Sequence, residues 1–276
     1  MNKCLISLKE LDKSEIKQIL DIASQMRRIV LSTHKKSPQL LGKSVAVCSA
    51  DSISSVAVNL ASNFLSATTV KICPEDFLEL AKALGAFGVD FVFAQHPNEN
   101  LLRDIDKNGR YAVINLETSS SNPLKVLSYL LTLQDKLDGL SNLTVLAVGN
   151  KNVSAMGELS YALQLFGSEL VWFLPKEDFV TVRRGIIFDN VEIAFDGVDA
   201  VIDLKLAEFS DSRLFYGDYG GIPKRLLDKA RIDVALLDCR NIVTPNGITE
   251  YPYSAQETQY TALISVIMAV MYLLNN

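Results

Sequence analysis

Residues 43–58 read KSVAVCSADSISSVAV. The opening run, Lys43 to Ser49, is apolar and β-branched, the pattern of a strand buried on both faces. A short polar turn follows, and the segment then opens a helix. Strand, tight turn and helix N-terminus bring free backbone N–H groups and the positive end of a helix dipole to one point, a ready anion site. Yet no Lys or Arg lies between Lys43 and Lys71. The segment is built like a phosphate cradle with no cation in it.

The same unit recurs on either side. Short β-rich runs, SVAVCS, TVKIC, DFVFA and YAVINL, are each followed by a helical stretch. Before them, Ser14–Leu31 carries apolar residues at helical spacing. The helix after TVKIC is expected to start at Pro74, a good first-turn residue. A long helix, Pro123–Leu137, closes this half, and the polar DGLSN around Gly139 marks a junction. The pattern then restarts with the runs NLTVLAVGN, ELVWFLP, VEIAF, DAVIDL and DVALLDC. A last helix, Ala255–Leu274, is apolar on more than one face and is expected to pack back on the first half. Strands alternating with helices predict parallel sheets covered on both faces. The expected architecture is two α/β lobes with a cleft between them. Residues 1–137 with 255–276 make the first domain, and residues 138–254 the second.

Composition narrows the function classes. The 276 residues carry 27 Lys and Arg against 32 Asp and Glu, a net charge of -5. That balance argues against a nucleic-acid partner, which needs a basic face. The four cysteines are scattered, with no CxxC and no clustered histidine, so neither a disulfide framework nor a metal site is expected and a cytoplasmic setting fits. The start, MNKCLISLKELDKSEI, is too polar for a signal peptide, and ALISVIMAVMYLL is short for a membrane span. No membrane partner is expected.

Few motifs offer chemistry by themselves. The turn Val148-Gly149-Asn150-Lys151-Asn152 lacks GxGxxG and reads as structural rather than nucleotide-binding. His34 lies in a polar link and reads as solvated. His96 follows a strand at the end where α/β proteins place ligands, although a surface or capping role is the simpler reading. The segment FYGDYGG, residues 215–221, reads as a surface turn, with a mobile loop near the cleft as the alternative.

The order and wording of the segments resemble the aspartate/ornithine carbamoyltransferase family almost end to end. LISLKELDKSEIKQILDIA resembles its opening helix region, and LLGKSVAV its first strand. NPLKVLSYLLTLQDKLDGLSNLTVLAVGN resembles the interdomain helix and the first strand of the second domain. NVSAMGELSYALQLFGSELVWFLP resembles the helix and strand that follow. The resemblance implies two doubly wound parallel-sheet α/β domains, one for carbamoyl phosphate and one for an amino acid. It also implies a homotrimer and no cofactor.

The family's chemistry is amine attack on carbamoyl phosphate, which needs cations around the phosphate and donors to the carbamoyl oxygen. Its Ser-x-Arg-Thr-Arg motif falls here on Ile53-Ser54-Ser55-Val56-Ala57, without either arginine. Its Arg-His after the third strand falls on Gln95-His96, and its His-Pro-x-Gln on Asn122-Pro123-Leu124-Lys125. The loop that carries a lysine into the neighbouring subunit is shortened, since TTVKICPEDF runs almost directly into a helix. No arginine lies anywhere from Thr33 to Leu102, so a small misplacement of the motif does not recover one. In the second domain, the family's His-Cys/Pro-Leu-Pro falls on Asp238-Cys239-Arg240-Asn241, and Lys205 stands where aspartate-type enzymes carry an arginine.

The resemblance therefore implies a degenerate carbamoyl-phosphate site at Ser54, Ser55, Gln95 and Lys125, and an amino-acid cleft at Asn152, Lys205, Asp238 and Arg240. It assigns no catalytic residue. The function expected is a pseudoenzyme that keeps the fold and acts by ligand binding or by assembly. Its partner would be an active carbamoyltransferase or a neighbouring-pathway enzyme. The alternative is a divergent transferase acting on a different amino-acid-like substrate.

Overall fold

The computed structural model describes residues 4–50, 52–73, 76–108, 110–149, 153–174, 185–204, 222–239 and 241–275. The chain divides into two compact units, residues 1–131 with 260–276, and residues 132–259.

The first unit opens with helix α1 (Lys13–Leu31), started by a capping box in which Asp12 and Glu15 each bind the other's backbone N–H. Then β1 (Ser44–Cys48), α2 (Ile53–Phe64), β2 (Thr68–Ile72), α3 (Phe77–Ala86), β3 (Phe91–Gln95), α4 (Glu99–Asn108) and β4 (Ala112–Glu117) alternate, and α5 (Pro123–Lys136) begins in this unit and ends in the second. The four strands form one parallel sheet in the order β2-β1-β3-β4. Its central strands are apolar along their middles because both faces are covered there: Val45, Ala46, Val47, Phe93 and Ala94 have no solvent exposure. Strand β2, at the edge, is mostly exposed. The other edge is covered by the N-terminal segment, where Leu5 bridges Ile114 in parallel.

The second unit holds β5 (Thr144–Val148), α6 (Val153–Leu165), β6 (Glu169–Phe173), β7 (Ile186–Phe188), α7 (Val191–Ala194), β8 (Ala200–Asp203), β9 (Ile222–Pro223), α8 (Lys224–Leu227), β10 (Ala235–Leu237), β11 (Asn241–Thr244) and β12 (Gly247–Glu250). Five of these strands form a second parallel sheet, ordered β10-β8-β5-β6-β7. A small sheet, β12-β11-β9, joins one antiparallel and one parallel pair.

The last helix, α9 (Gln256–Asn275), is long and apolar enough to cross a membrane by length and composition alone. Its residues Val266 to Met271 are all fully buried, as in a core helix. Within the first unit, Thr261 accepts from Arg27 Nη2 on α1 at 3.1 Å, and Ser62 on α2 lies 3.8 Å from the Met271 sulfur.

Two local expectations are corrected and one strand is added. VEIAF is a one-turn helix rather than a strand, because the Asn190 side chain accepts from the N–H groups of Glu192 and Ile193 and caps the turn. Helix α3 begins at Phe77 and not at Pro74: the Asp76 carboxylate binds the N–H groups of Leu78 and Glu79 and makes Asp76 the cap. Strand β7 was not anticipated. It is three residues long and is preceded by Gly185 at φ +114, where a Cβ would crowd the Leu170 carbonyl at 3.1 Å.

Candidate functional site

In a parallel sheet the C-terminal ends of all strands share one edge, and ligands bind there. In the first unit that edge receives the N-terminus of α2, the end of β3, the end of β4 and the N-terminus of α5. The candidate residues Ser54, Ser55, Gln95 and Lys125 all belong to it.

At α2 the serines form a reciprocal cap. Ser52 Oγ accepts from Ser55 N–H at 3.2 Å, Ser55 Oγ accepts from Ser52 N–H at 3.0 Å, and the Ser55 hydroxyl donates to Ser52 C=O at 2.8 Å. Ser55 is 1% exposed. Its hydroxyl is therefore spent on the helix. Ser54 is half-buried and, among the described residues, makes no side-chain hydrogen bond. Of the two candidate serines, Ser54 is the available donor.

At β3 the register against β4 shifts between Ala94 and Gln95, which sets Gln95 opposite Glu117. Gln95 Nε2 donates to Glu117 Oε2 at 3.1 Å. Next to it, His96 Nδ1 accepts the Asn98 N–H at 3.0 Å, and its ring meets Phe77 edge-on at 5.2 Å. His96 thus braces the turn before α4, whose Asn98 carboxamide accepts the Asn100 N–H at 3.0 Å.

At α5 the Asn122 carboxamide oxygen accepts the Lys125 N–H at 3.1 Å, with Pro123 in the first helical position. Asn122 is an N-cap. The Lys125 ammonium lies 5.5 Å from the centre of the Tyr129 ring, a cation–π contact.

The loop between β4 and α5 is braced from outside. Ser120 donates to Glu99 at 2.6 Å, and Arg103 binds both Glu99 at 2.6 Å and Glu10. Burial would raise the Glu99 carboxyl, but the Ser120 hydroxyl and Arg103 outweigh it and hold it below the ordinary range. Inside, Asn115 is fully buried and its Nδ2 donates to Ile6 C=O at 2.8 Å, while its Oδ1 has no partner among the described residues. Sequence reasoning missed Glu117 and Asn115. The signal available for Glu117 was a polar run, ETSSSN, at the end of a buried strand.

In the second unit Asp238 follows β10 in a left-handed conformation, φ 58. Gln259 clamps it twice: Nε2 donates to the Asp238 carboxylate at 2.6 Å, and Oε1 accepts the Asp238 N–H at 3.1 Å. Asn152, Lys205, Arg240 and the FYGDYGG segment lie outside the described residues. The four cysteines are free, and burial pushes the Cys48 thiol up to about 12.

Residues 3–135 match the family model described as aspartate/ornithine carbamoyltransferase, carbamoyl-P binding domain. The aspartate carbamoyltransferase catalytic subunit of Heliobacterium modesticaldum is 28% identical over 301 residues, covering 99% of this chain and 96% of its own. The subunit of the same name from Caldicellulosiruptor bescii is 25% identical, covering 98% and 97%. This chain is similar to aspartate/ornithine carbamoyltransferases over nearly its whole length. Solved structures agree on the fold. The Thermus thermophilus ornithine carbamoyltransferase superposes with a TM-score of 0.81 at 20% identity, over all of both chains. The M. jannaschii aspartate transcarbamoylase catalytic subunit gives 0.80 at 20% identity, over 99% of this chain and 97% of its own. Within this carbamoyltransferase fold, the edge of the first sheet presents caps and amides among its described residues, and Lys125 as its cation.

Proposed function

We propose that this chain is a carbamoyltransferase-fold protein that has lost carbamoyl transfer and acts by assembly or ligand binding. The observation that carries the reading is the internal satisfaction of the first-sheet edge. Ser55 closes a capping box, Gln95 is paired with Glu117, and Asn122 caps α5. These are the positions the family resemblance assigns to two arginines and a histidine. Losing one such donor typically costs about 3 kcal/mol of transition-state stabilisation. Several lost together remove most of an ordinary enzymatic acceleration, even allowing for non-additivity. One lysine does not replace bidentate arginines.

The assembly we propose is a homotrimer in the cytoplasm, able to associate with an active relative. Helix α2 supports this. It carries no charged residue, and Ile53, Val56 and Leu60 expose an apolar stripe, at 63%, 55% and 40%. Light scattering at micromolar concentration is expected to give three copies, and a monomer would remove this part of the reading.

The second reading is a divergent transferase acting on another amino-acid-like substrate. Asp238 favours it, because a non-glycine residue held in a left-handed conformation at a strand end is typical of functional positions. A transfer assay separates the two. With carbamoyl phosphate and either aspartate or ornithine, the purified protein is expected to form no product above the no-enzyme control. Product that disappears on changing Lys125 would overturn the loss of activity.

A further inference from the structure

The first-sheet edge, which lacks the arginines that the family resemblance would place there, holds a carboxylate. Glu117 ends β4 on the same edge as the α2 N-terminus and is half-buried. The register shift beside Ala94 brings it opposite Gln95, whose Nε2 donates to it at 3.1 Å. Among the described residues no lysine or arginine is ion-paired with it. A phosphate dianion at this edge would meet a negative charge that forms no ion pair with a lysine or arginine among the described residues. Two like charges in a partly desolvated place repel, and the penalty grows with the charge on the incoming ligand.

We propose that Glu117 is a specificity determinant that excludes phosphate-type dianions from the C-terminal edge of the first sheet. This rests on the reading of that edge as a former anion site. Its consequence is that restoring arginine at position 95 alone does not restore phosphate binding. A guanidinium at the end of β3 lies where the Gln95 amide already reaches Glu117, so it pairs with the carboxylate instead of an incoming anion. Removing the carboxylate frees it. The proposal concerns selection against a ligand, which negative charge achieves as effectively as steric blockage.

The test is a double-mutant cycle on inorganic phosphate, followed by calorimetry at constant ionic strength in chloride. The four proteins are the unaltered chain, Gln95→Arg, Glu117→Gln and the double variant. Glu117→Gln keeps the shape and a hydrogen-bond acceptor for position 95, and thermal melting checks that each variant folds. Should Glu117→Gln melt early, Glu117→Ser enters the cycle in its place. Gln95→Arg alone is expected to tighten phosphate by less than about threefold. The double variant is expected to bind about tenfold or more tightly than either single variant, the size of one freed charge-assisted contact. Coupling of that sign is the signature of two groups that interact directly. Equal tightening in Gln95→Arg and the double variant would overturn the role of Glu117 and leave the lost-activity reading standing. No tightening in any variant would overturn it as well, by showing that phosphate does not approach this edge. Carbamoyl transfer by the unaltered protein would instead sink the lost-activity reading, whatever the cycle gives.

Discussion

At the N-terminal edge of the first sheet, Asp90 accepts the Ser44 N–H at 2.9 Å and pairs with Lys43 at 2.9 Å. At the same edge of the second sheet, Asp199 accepts the Thr144 N–H at 2.8 Å and pairs with Arg231. Each aspartate directly precedes the strand beside the one it anchors: β3 beside β1, and β8 beside β5. Two units with unrelated side chains elsewhere thus begin their central strands with one device. Their C-terminal edges share nothing of the kind. The first ends in a serine cap and an amide–carboxylate pair, the second in a left-handed aspartate clamped by Gln259. The starting edge answers a need every parallel sheet has, a partner for the first N–H group. The finishing edge answers to whatever ligand the protein takes, and it is free to change while the fold stands.

That comparison predicts a steep gradient along single strands. Phe93 and Gln95 stand two residues apart on β3, one fully buried and the other half-buried at the edge. Phe93→Ala is expected to lose about 3–5 kcal/mol of stability by cavity formation. Gln95→Ala is expected to stay within about 0.5 kcal/mol, as for surface positions. Urea unfolding measures both, and comparable losses would break the distinction between scaffold and edge.

The anchoring aspartates give the next effect. Asp199 is buried, so Asp199→Ala leaves the Thr144 N–H without its partner, and about 1–3 kcal/mol of loss is expected. An unchanged denaturation midpoint would show that the device is ornamental in the second unit.

The smallest effect is pH-dependent. Burial would raise the Asp90 carboxyl, but the Ser44 N–H and Lys43 outweigh it and hold it below the ordinary range. A carboxyl depressed in the folded state stabilises the fold above its unfolded value, and that contribution fades as the pH falls through the folded one. Asp90→Asn keeps an acceptor for Ser44 and removes the charge. The difference from the unaltered protein is expected to be at most about 1 kcal/mol at neutral pH and to shrink below about pH 4. A difference that grows on acidification would contradict the sign of the Asp90 shift.

The fold was legible because its determinants are buried and periodic. SVAVCS, DFVFA and NLTVLAVGN are apolar runs that only a covered parallel sheet accommodates, and each is a strand. VEIAF failed because β-branched composition was read without its cap, Asn190, which satisfies two N–H groups and starts a helical turn instead. The short β7 and the small β9–β11–β12 sheet have too few residues to leave a period. Of the candidate site, the absence of arginine is visible in the sequence itself. What replaced it is not, because the Gln95–Glu117 pair joins two strands 22 positions apart through a register shift that no local pattern announces.

The central claim is that the first-sheet edge has kept its architecture and lost its affinity for phosphate groups. Calorimetric titration of the unaltered protein with carbamoyl phosphate tests it most directly. Backbone donors at α2, the Ser54 hydroxyl and Lys125 are expected to yield no better than about millimolar affinity, roughly -4 kcal/mol. Micromolar affinity would contradict the account and return the protein to the active carbamoyltransferases.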